Sequence, residues 1–90
     1  MTLAPTLTTL DALKAGQSAT VIHLAPSAGN GEGAERADIS RRLMELGFVP
    51  GERIRMLKRG LPGGPVAVKV GQSTFALRRF EAALISIQPE

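Results

Sequence analysis

The chain has 90 residues, 43% of them hydrophobic, a net charge of +3 at neutral pH, and no cysteine, tryptophan or tyrosine. A chain of this length forms one domain whose small core must come from aliphatic side chains. The lack of cysteine excludes disulfides, thiolate metal sites and cysteine nucleophiles, and it is typical of proteins in a reducing compartment.

The N-terminal segment does not resemble a targeting sequence. Pro5 and four threonines interrupt residues 1–10, which lack the positive flank and continuous apolar run of a signal peptide. No stretch approaches the roughly 20 apolar residues that a membrane-spanning helix needs. We therefore expect a soluble cytoplasmic chain without membrane insertion, forming a single domain over residues 1–90 with residues 1–9 loosely ordered.

The first third of the chain predicts a helical turn, a strand and a loop. Leu10 and Leu13 suggest one helical turn ending at Gly16, whose apolar side chains plug an end of the core. Residues 17–24 alternate with a period of two but carry apolar side chains on both faces, so the buried face is left open. Residues 26–33 contain three glycines and predict a loop.

A helix and a sharp corner follow. Asp38 is a suitable N-cap, with a start a few residues earlier left open, and Ile39, Leu43 and Leu46 recur at helical spacing. Gly47 predicts the end of the helix, because the left-handed conformation common at that position carries no penalty for glycine. The next pair, Pro-Gly at residues 50–51, suits the centre of a type II turn.

Beyond the corner the apolar pattern changes to a period of two, with a tight hairpin turn at Gly71 and Gln72 and one helical turn at residues 79–83. The predicted strands in this part are residues 52–58, 66–70, 73–77 and 84–87. Short strands with tight turns favour a small closed or nearly closed barrel, because closure removes exposed strand edges. The predicted fold class is mainly β: a small barrel of about five strands with one inserted α-helix and short helical turns.

The corner at residues 43–51, Leu-Met-Glu-Leu-Gly-Phe-Val-Pro-Gly, resembles the Leu-x-x-Leu-Gly-x-x-Pro-Gly corner of the FeoA family, the small cytosolic partners of the bacterial ferrous iron transporter FeoB. Similar blocks follow in the family's order at residues 61–66 and 75–87. The chain departs from the family pattern at Gly64, where Asp is usual, and in the long loop of residues 25–37. The resemblance implies an SH3-like barrel and a non-enzymatic accessory role in ferrous iron uptake.

The same resemblance implies that the partner is the cytosolic GTPase region of FeoB. We expect the contact at the helix end, with arginines at its rim. The predicted contact residues are Arg41, Arg42, Leu46, Phe48, Val49, Pro50, Arg53 and Arg55. That Leu46 and Phe48 are instead wholly buried is left open.

Charge is unevenly distributed along the chain. Residues 53–79 contain seven basic residues and no acidic one. This pattern indicates an acidic partner surface, a phosphate-bearing ligand or a membrane face. The ordinary outer faces of solvated strands are the favoured explanation.

Nothing in the sequence predicts catalysis, a resident metal or a cofactor. His23 is the one histidine, whereas a catalytic triad needs a nucleophile and an acid beside it and structural zinc needs four ligands. A weak metal site shared between chains is left open for it. The glycines of residues 29–33 are followed by Ala34 and Glu35, not by the Lys and Ser or Thr of a phosphate-binding loop.

Other readings concern the basic segment. A nucleic-acid-binding barrel would combine cations with aromatic platforms, but only Phe80, beside Arg78 and Arg79, suits that role, so we expect no stable nucleic-acid complex. These two arginines could also assist a GTPase in trans, but surface contacts or ion pairs with Glu81 or Glu45 are the favoured explanation. A module like the C-terminal SH3-like domain of iron-dependent repressors is a further alternative, and self-association is left open.

Overall fold

A computed structural model describes residues 8–25, 31–60 and 64–90, without the side chains of residues 31–37. The elements in chain order are β1 (Thr8–Thr9), a 3-10 turn (Leu10–Ala12), β2 (Ser18–Leu24), α1 (Gly31–Leu46), β3 (Arg53–Arg59), β4 (Val66–Val70), β5 (Ser73–Leu77), α2 (Arg79–Ala82) and β6 (Ile85–Pro89).

The six strands form one antiparallel sheet in the order β1-β6-β2-β3-β4-β5. The 3-10 turn directly follows one edge strand, β1, and contacts α2, which comes just after the other edge strand, β5. The sheet therefore curls around a single core, and the predicted mainly β barrel with one inserted helix is confirmed. The sixth strand is β1, which the sequence did not predict and which pairs with β6 through Thr8 and Thr9.

The core is aliphatic except for two phenylalanines. Phe48 is completely buried and its ring lies 5.6 Å from that of Phe75, tilted by 54°. Leu10 and Leu13 are also buried, as the sequence predicted. The 3-10 turn ends at Ala12, however, so Leu13 is its C-cap residue, and Gly16 belongs to a separate turn.

A bulge in β2 decides which side chains face the core. Ala19 and Val21 are buried, but the register shifts between Val21 and His23. A bulge adds one residue to a strand and so exchanges the inward and outward faces beyond it. Leu24 consequently packs against the core, and His23, which strict alternation would place beside Val21, is exposed.

A second bulge divides β3. Ile54 and Met56 are buried and alternate with exposed Arg53 and Arg55, as the sequence predicted. The register then shifts between Met56 and Lys58. Beyond the shift, Arg59 pairs with buried Val66 instead of with an outward-facing residue.

The helix begins before Asp38, the alternative that the sequence left open. Its first residue is Gly31, so Asp38 lies inside the helix and does not cap it, and the predicted loop is wrong for residues 31–33. Glu, Ala and Arg dominate residues 32–37, and their helix propensity outweighs the penalty of about 1 kcal/mol for an interior glycine. The rest of that predicted loop, residues 26–30, lies outside the described residues.

The end of α1 is confirmed at Gly47. This glycine has φ +120°, and its N–H donates to the Met44 carbonyl at 3.0 Å. The next N–H, that of Phe48, donates to the Leu43 carbonyl at 3.0 Å. These two bonds define a Schellman motif, in which an apolar residue after the glycine folds back onto the last turn.

The Pro50–Gly51 turn is also confirmed. Gly51 has φ +93°, and the N–H of Glu52 donates to the Val49 carbonyl at 3.0 Å, which closes the turn. The turn is tied to β2 by two further bonds of 2.8 Å, from the Gly51 N–H to the Val21 carbonyl and from the Val21 N–H to the Glu52 carbonyl. The corner is thus held by backbone hydrogen bonds on both sides.

The change Gly47→Val tests the helix cap. A Cβ at this position would lie 3.7 Å from a Val70 methyl group, which is ordinary contact, so the Cβ itself causes no clash. We expect a loss of about 1 kcal/mol or more in the free energy of unfolding, because a β-branched residue is strained there.

Chemical denaturation measures this loss, and Arg42→Val is the matched control. Arg42 is an exposed residue of the same helix, where valine should lower stability by about 0.5 kcal/mol through helix propensity alone. Equal losses in the two variants would contradict the role assigned to Gly47.

Candidate functional site

The last turn of α1 and the corner after it present apolar side chains to solvent. Met44 and Leu46 are 43% and 42% exposed and lie on either side of buried Leu43. Val49 is half-buried and Pro50 is exposed. We refer to Met44, Leu46, Val49 and Pro50 as the helix-end patch. Because backbone hydrogen bonds fix the corner, these side chains are displayed on a rigid frame.

Phe48 does not belong to this patch. It is completely buried, so the prediction that it contacts a partner is wrong. The physical reason is its place in the Schellman motif, where the residue after the glycine turns inward against the helix. Leu46, on the other side of Gly47, remains accessible.

The two helix arginines lie on the exposed face of α1. The Arg41 side chain is 73% exposed, and it lies 3.3 Å from the Asp38 carboxylate and 3.9 Å from that of Glu45. Such exposed pairs along a helix contribute little to stability. Arg42 is exposed and forms no ion pair within the described residues.

Arg53 is already occupied by a carboxylate. Its Nε and one terminal nitrogen donate to the two oxygens of Glu90 at 2.6 and 2.9 Å. This forked hydrogen bonding, together with the negative charge of Glu90, raises the pKa of Arg53 above its usual value. The pair connects the start of β3 to the residue that follows β6.

Arg55 lies in a cross-strand row on the outer face of the sheet. It is directly opposite Ser18 of β2 on one side and Lys69 of β4 on the other. These residues line an open groove with a volume of about 360 Å³, which Glu52 and Arg53 also border. We call it the outer groove. Lys69 was not among the predicted contact residues, because only the register of β3 and β4 reveals its position beside Arg55.

Other basic residues of the same segment have structural contacts. The Arg59 guanidinium donates to the backbone carbonyls of Asp11 and Leu13 at 2.6 and 2.7 Å. It therefore ties the end of β3 to the turn that plugs the core. The backbone N–H of Arg78 donates to the Glu81 carboxylate at 2.8 Å, which closes the first turn of α2. Phe80 in the same turn is 54% exposed.

Within the described residues, no three His, Cys, Asp or Glu side chains are placed to hold a metal ion. His23 lies on the surface with Nδ1 3.4 Å from the Leu24 carbonyl oxygen. Among the same residues, no helix has both the length and the apolar character needed to cross a membrane.

A six-stranded barrel with one inserted helix, an apolar patch at the helix end and a charged groove beside it defines a small SH3-like module. A family model described as the FeoA domain matches residues 8–89, and the chain belongs to the FeoA family.

Two solved FeoA proteins support this assignment. The chain is 39% identical to the zinc-complexed FeoA of Stenotrophomonas maltophilia, with a TM-score of 0.75 over 90% of this chain and 89% of that one. That protein is described as a prokaryotic SH3 domain protein and a proposed ferrous iron transport activating factor. FeoA of Chlorobium tepidum is 30% identical, with a TM-score of 0.73 over 91% of this chain and 70% of that one.

A more distant likeness concerns the fold alone. A manganese-dependent transcriptional repressor superposes with a TM-score of 0.77 at 22% identity, covering 98% of this chain and 44% of the repressor. Curated protein sequences yield no match.

The change Arg59→Gln tests whether Arg59 stabilises the fold through its hydrogen bonds to the backbone. We expect it to lower the free energy of unfolding by about 1 kcal/mol, because two carbonyls lose a charged donor. The control is Lys58→Gln, which removes a neighbouring exposed charge without such contacts among the described residues. Thermal denaturation of both variants makes the comparison, and equal melting temperatures would show that Arg59 does not brace the turn.

Proposed function

We propose that this chain is a non-enzymatic accessory protein of bacterial ferrous iron uptake. It acts in the cytoplasm by binding the cytosolic region of a FeoB transporter. The observation that carries the proposal is the helix-end patch, where Leu46 is held in solvent on a hydrogen-bonded corner in a chain of the FeoA family. The description of the Stenotrophomonas protein as a proposed transport activating factor supports the same role.

The geometry of the patch suits recognition of another protein. Its backbone is fixed before binding, so little conformational entropy is lost when a partner covers it. Apolar side chains at the centre of a contact, with charged residues at its rim, are the usual arrangement in protein interfaces. Arg41 and Arg42 on α1 supply that rim.

Apolar burial by the patch is not sufficient for a stable complex. Covering the exposed part of each side chain contributes about 1 kcal/mol, or about 4 kcal/mol for all four. That value corresponds to a dissociation constant near 1 mM before the loss of translational freedom is counted. Partner binding therefore needs further contacts, and the charged residues beyond the corner are positioned to provide them.

The aromatic side chains do not favour the nucleic-acid alternative. Phe48 and Phe75 pack against each other, which leaves Phe80 as the exposed aromatic residue of the described chain. Single-stranded nucleic acids are held by several stacked bases along a cationic groove. Nucleic-acid binding is therefore not the proposed function, and the test measures it as the alternative outcome.

The test is a titration of the FeoB cytosolic domain from the same genome with this chain, in the presence of GDP and of a GTP analogue. Leu46→Asp should weaken binding at least about tenfold, because a carboxylate would be buried against apolar surface.

Leu57→Asp is the matched control for Leu46→Asp. Leu57 is 41% exposed, almost the same as Leu46. It lies four residues along β3 from Arg53, about 13 Å at the usual rise per residue. This control should leave the affinity within about twofold, since surface changes away from a contact have little effect. Absence of binding in every nucleotide state, or tight binding of single-stranded RNA in physiological salt, would overturn the proposal.

A further inference from the structure

The outer groove contains two like charges that face each other. Arg55 and Lys69 are directly paired across β3 and β4, which places their Cβ atoms roughly 5 Å apart. Like charges at such positions are destabilising. Within the described residues, the ion pairs are those of Arg41 and Arg53, so neither Arg55 nor Lys69 is neutralised by a carboxylate there.

A carboxylate is already bound at the border of the same groove. Glu90 occupies Arg53 through two hydrogen bonds, and its backbone N–H donates to the Ser18 carbonyl at 3.0 Å. Ser18 also lines the groove and pairs with Arg55. The groove therefore combines one satisfied cation with two unsatisfied ones on the adjacent strands β3 and β4.

We propose that the outer groove binds a carboxylate side chain of a partner protein segment through Arg55 and Lys69, and that Glu90 limits this binding by occupying Arg53. Guanidinium and ammonium groups that approach from neighbouring strands can donate to both oxygens of one carboxylate. The ligand relieves the repulsion between the two cations, so binding stabilises the sheet.

The size and charge of the groove favour an acidic peptide over a polyanion. A volume of about 360 Å³ is near the lower limit of ligand pockets, which begin at about 300 Å³. It admits one or two side chains. Glu52 lines the same groove and repels successive phosphates of a nucleic acid, whereas a single carboxylate can avoid it. None of the lining residues is aromatic, so bases have no stacking surface.

The role of Glu90 predicts a variant that binds more tightly, and a misfolded variant would not give that result. Loss of its charge frees the Arg53 guanidinium, which lies two residues from Arg55 on the same face of β3. A third cation then becomes available to an incoming carboxylate. Affinity should consequently rise when Glu90 is neutralised and fall when Arg55 and Lys69 are neutralised.

The groove proposal rests on the proposed function only in naming the FeoB cytosolic region as the partner. Acidic binding by the groove can be measured with a peptide, without the transporter. If the peptide binds and the FeoB domain does not, the proposed function fails and the groove assignment stands. If the domain binds through Leu46 but neither peptide nor domain responds to changes in the groove, the groove assignment fails alone.

The experiment is a nuclear magnetic resonance titration of the ¹⁵N-labelled chain with a capped hexapeptide that carries two glutamates among glycines and serines, at about 50 mM salt, where surface charges are weakly screened. Parallel arms use inorganic phosphate and a hexanucleotide of uridine. We expect saturable shifts at Ser18, Arg55 and Lys69 with the peptide, and weaker binding in the other two arms. Tighter binding of phosphate or RNA than of peptide would overturn the assignment to a carboxylate.

Three variants complete the test. Arg55→Gln with Lys69→Gln should weaken peptide binding about tenfold or more, near the lower end of the effects of close charge pairs in complexes. Glu90→Gln should strengthen it about threefold, the size expected when an exposed ion pair is removed. Lys58→Gln is the control for the loss of one positive charge, because Lys58 is exposed on β3 and does not line the groove. It should change affinity less than twofold.

The double variant should also melt no lower than the parent chain, since it removes a repulsive pair. A loss of binding free energy in the double variant no greater than twice that in Lys58→Gln would show that only net charge matters and would overturn the site. An affinity unchanged by Glu90→Gln would overturn the competition by Glu90.

Discussion

The positive φ of Gly47 is the constraint on which the surface of this module depends. It reverses the chain after α1 so that Phe48 enters the core and Leu46 stays in solvent. Phe48 then packs against Phe75 of β5, while the Pro50–Gly51 turn directs the chain into β3. A residue restricted to negative φ at position 47 would strain the link between the helix and the barrel, and with it the orientation of the helix-end patch.

Local signals explain why much of this fold could be predicted from the sequence. The strands β4 and β5 were predicted with their observed ends, because period-two alternation and the Gly71–Gln72 turn act within ten residues. The corner after α1 was predictable for the same reason, since the glycine, the apolar residue and the Pro-Gly pair are adjacent. In each case the residue types that form the structure are neighbours in the chain.

The features that sequence reasoning missed depend on contacts between distant segments. The bulges in β2 and β3 are set by strand register, so alternation alone placed His23 beside Val21 and gave no account of Arg59. The two-residue strand β1 is too short to carry a pattern. Arg55 was predicted as a contact residue, but its neighbour Lys69 was not, because 14 residues separate them in sequence while the register makes them adjacent.

The helix-end patch and the outer groove differ in how firmly their side chains are held. Backbone hydrogen bonds fix the patch, whereas the charged groups of Arg55 and Lys69 lie at the ends of long, exposed side chains. A fixed apolar surface determines where a partner lies, because it loses little entropy on binding. Mobile charges act at longer range and select for opposite charge before contact is complete. The short segment from Val49 to Arg53 joins the two surfaces, so a partner that covers the corner also brings its adjoining residues to the groove. In the arrangement we propose, the patch provides position and the groove provides discrimination, and binding removes the stability penalty of the groove's uncompensated charge.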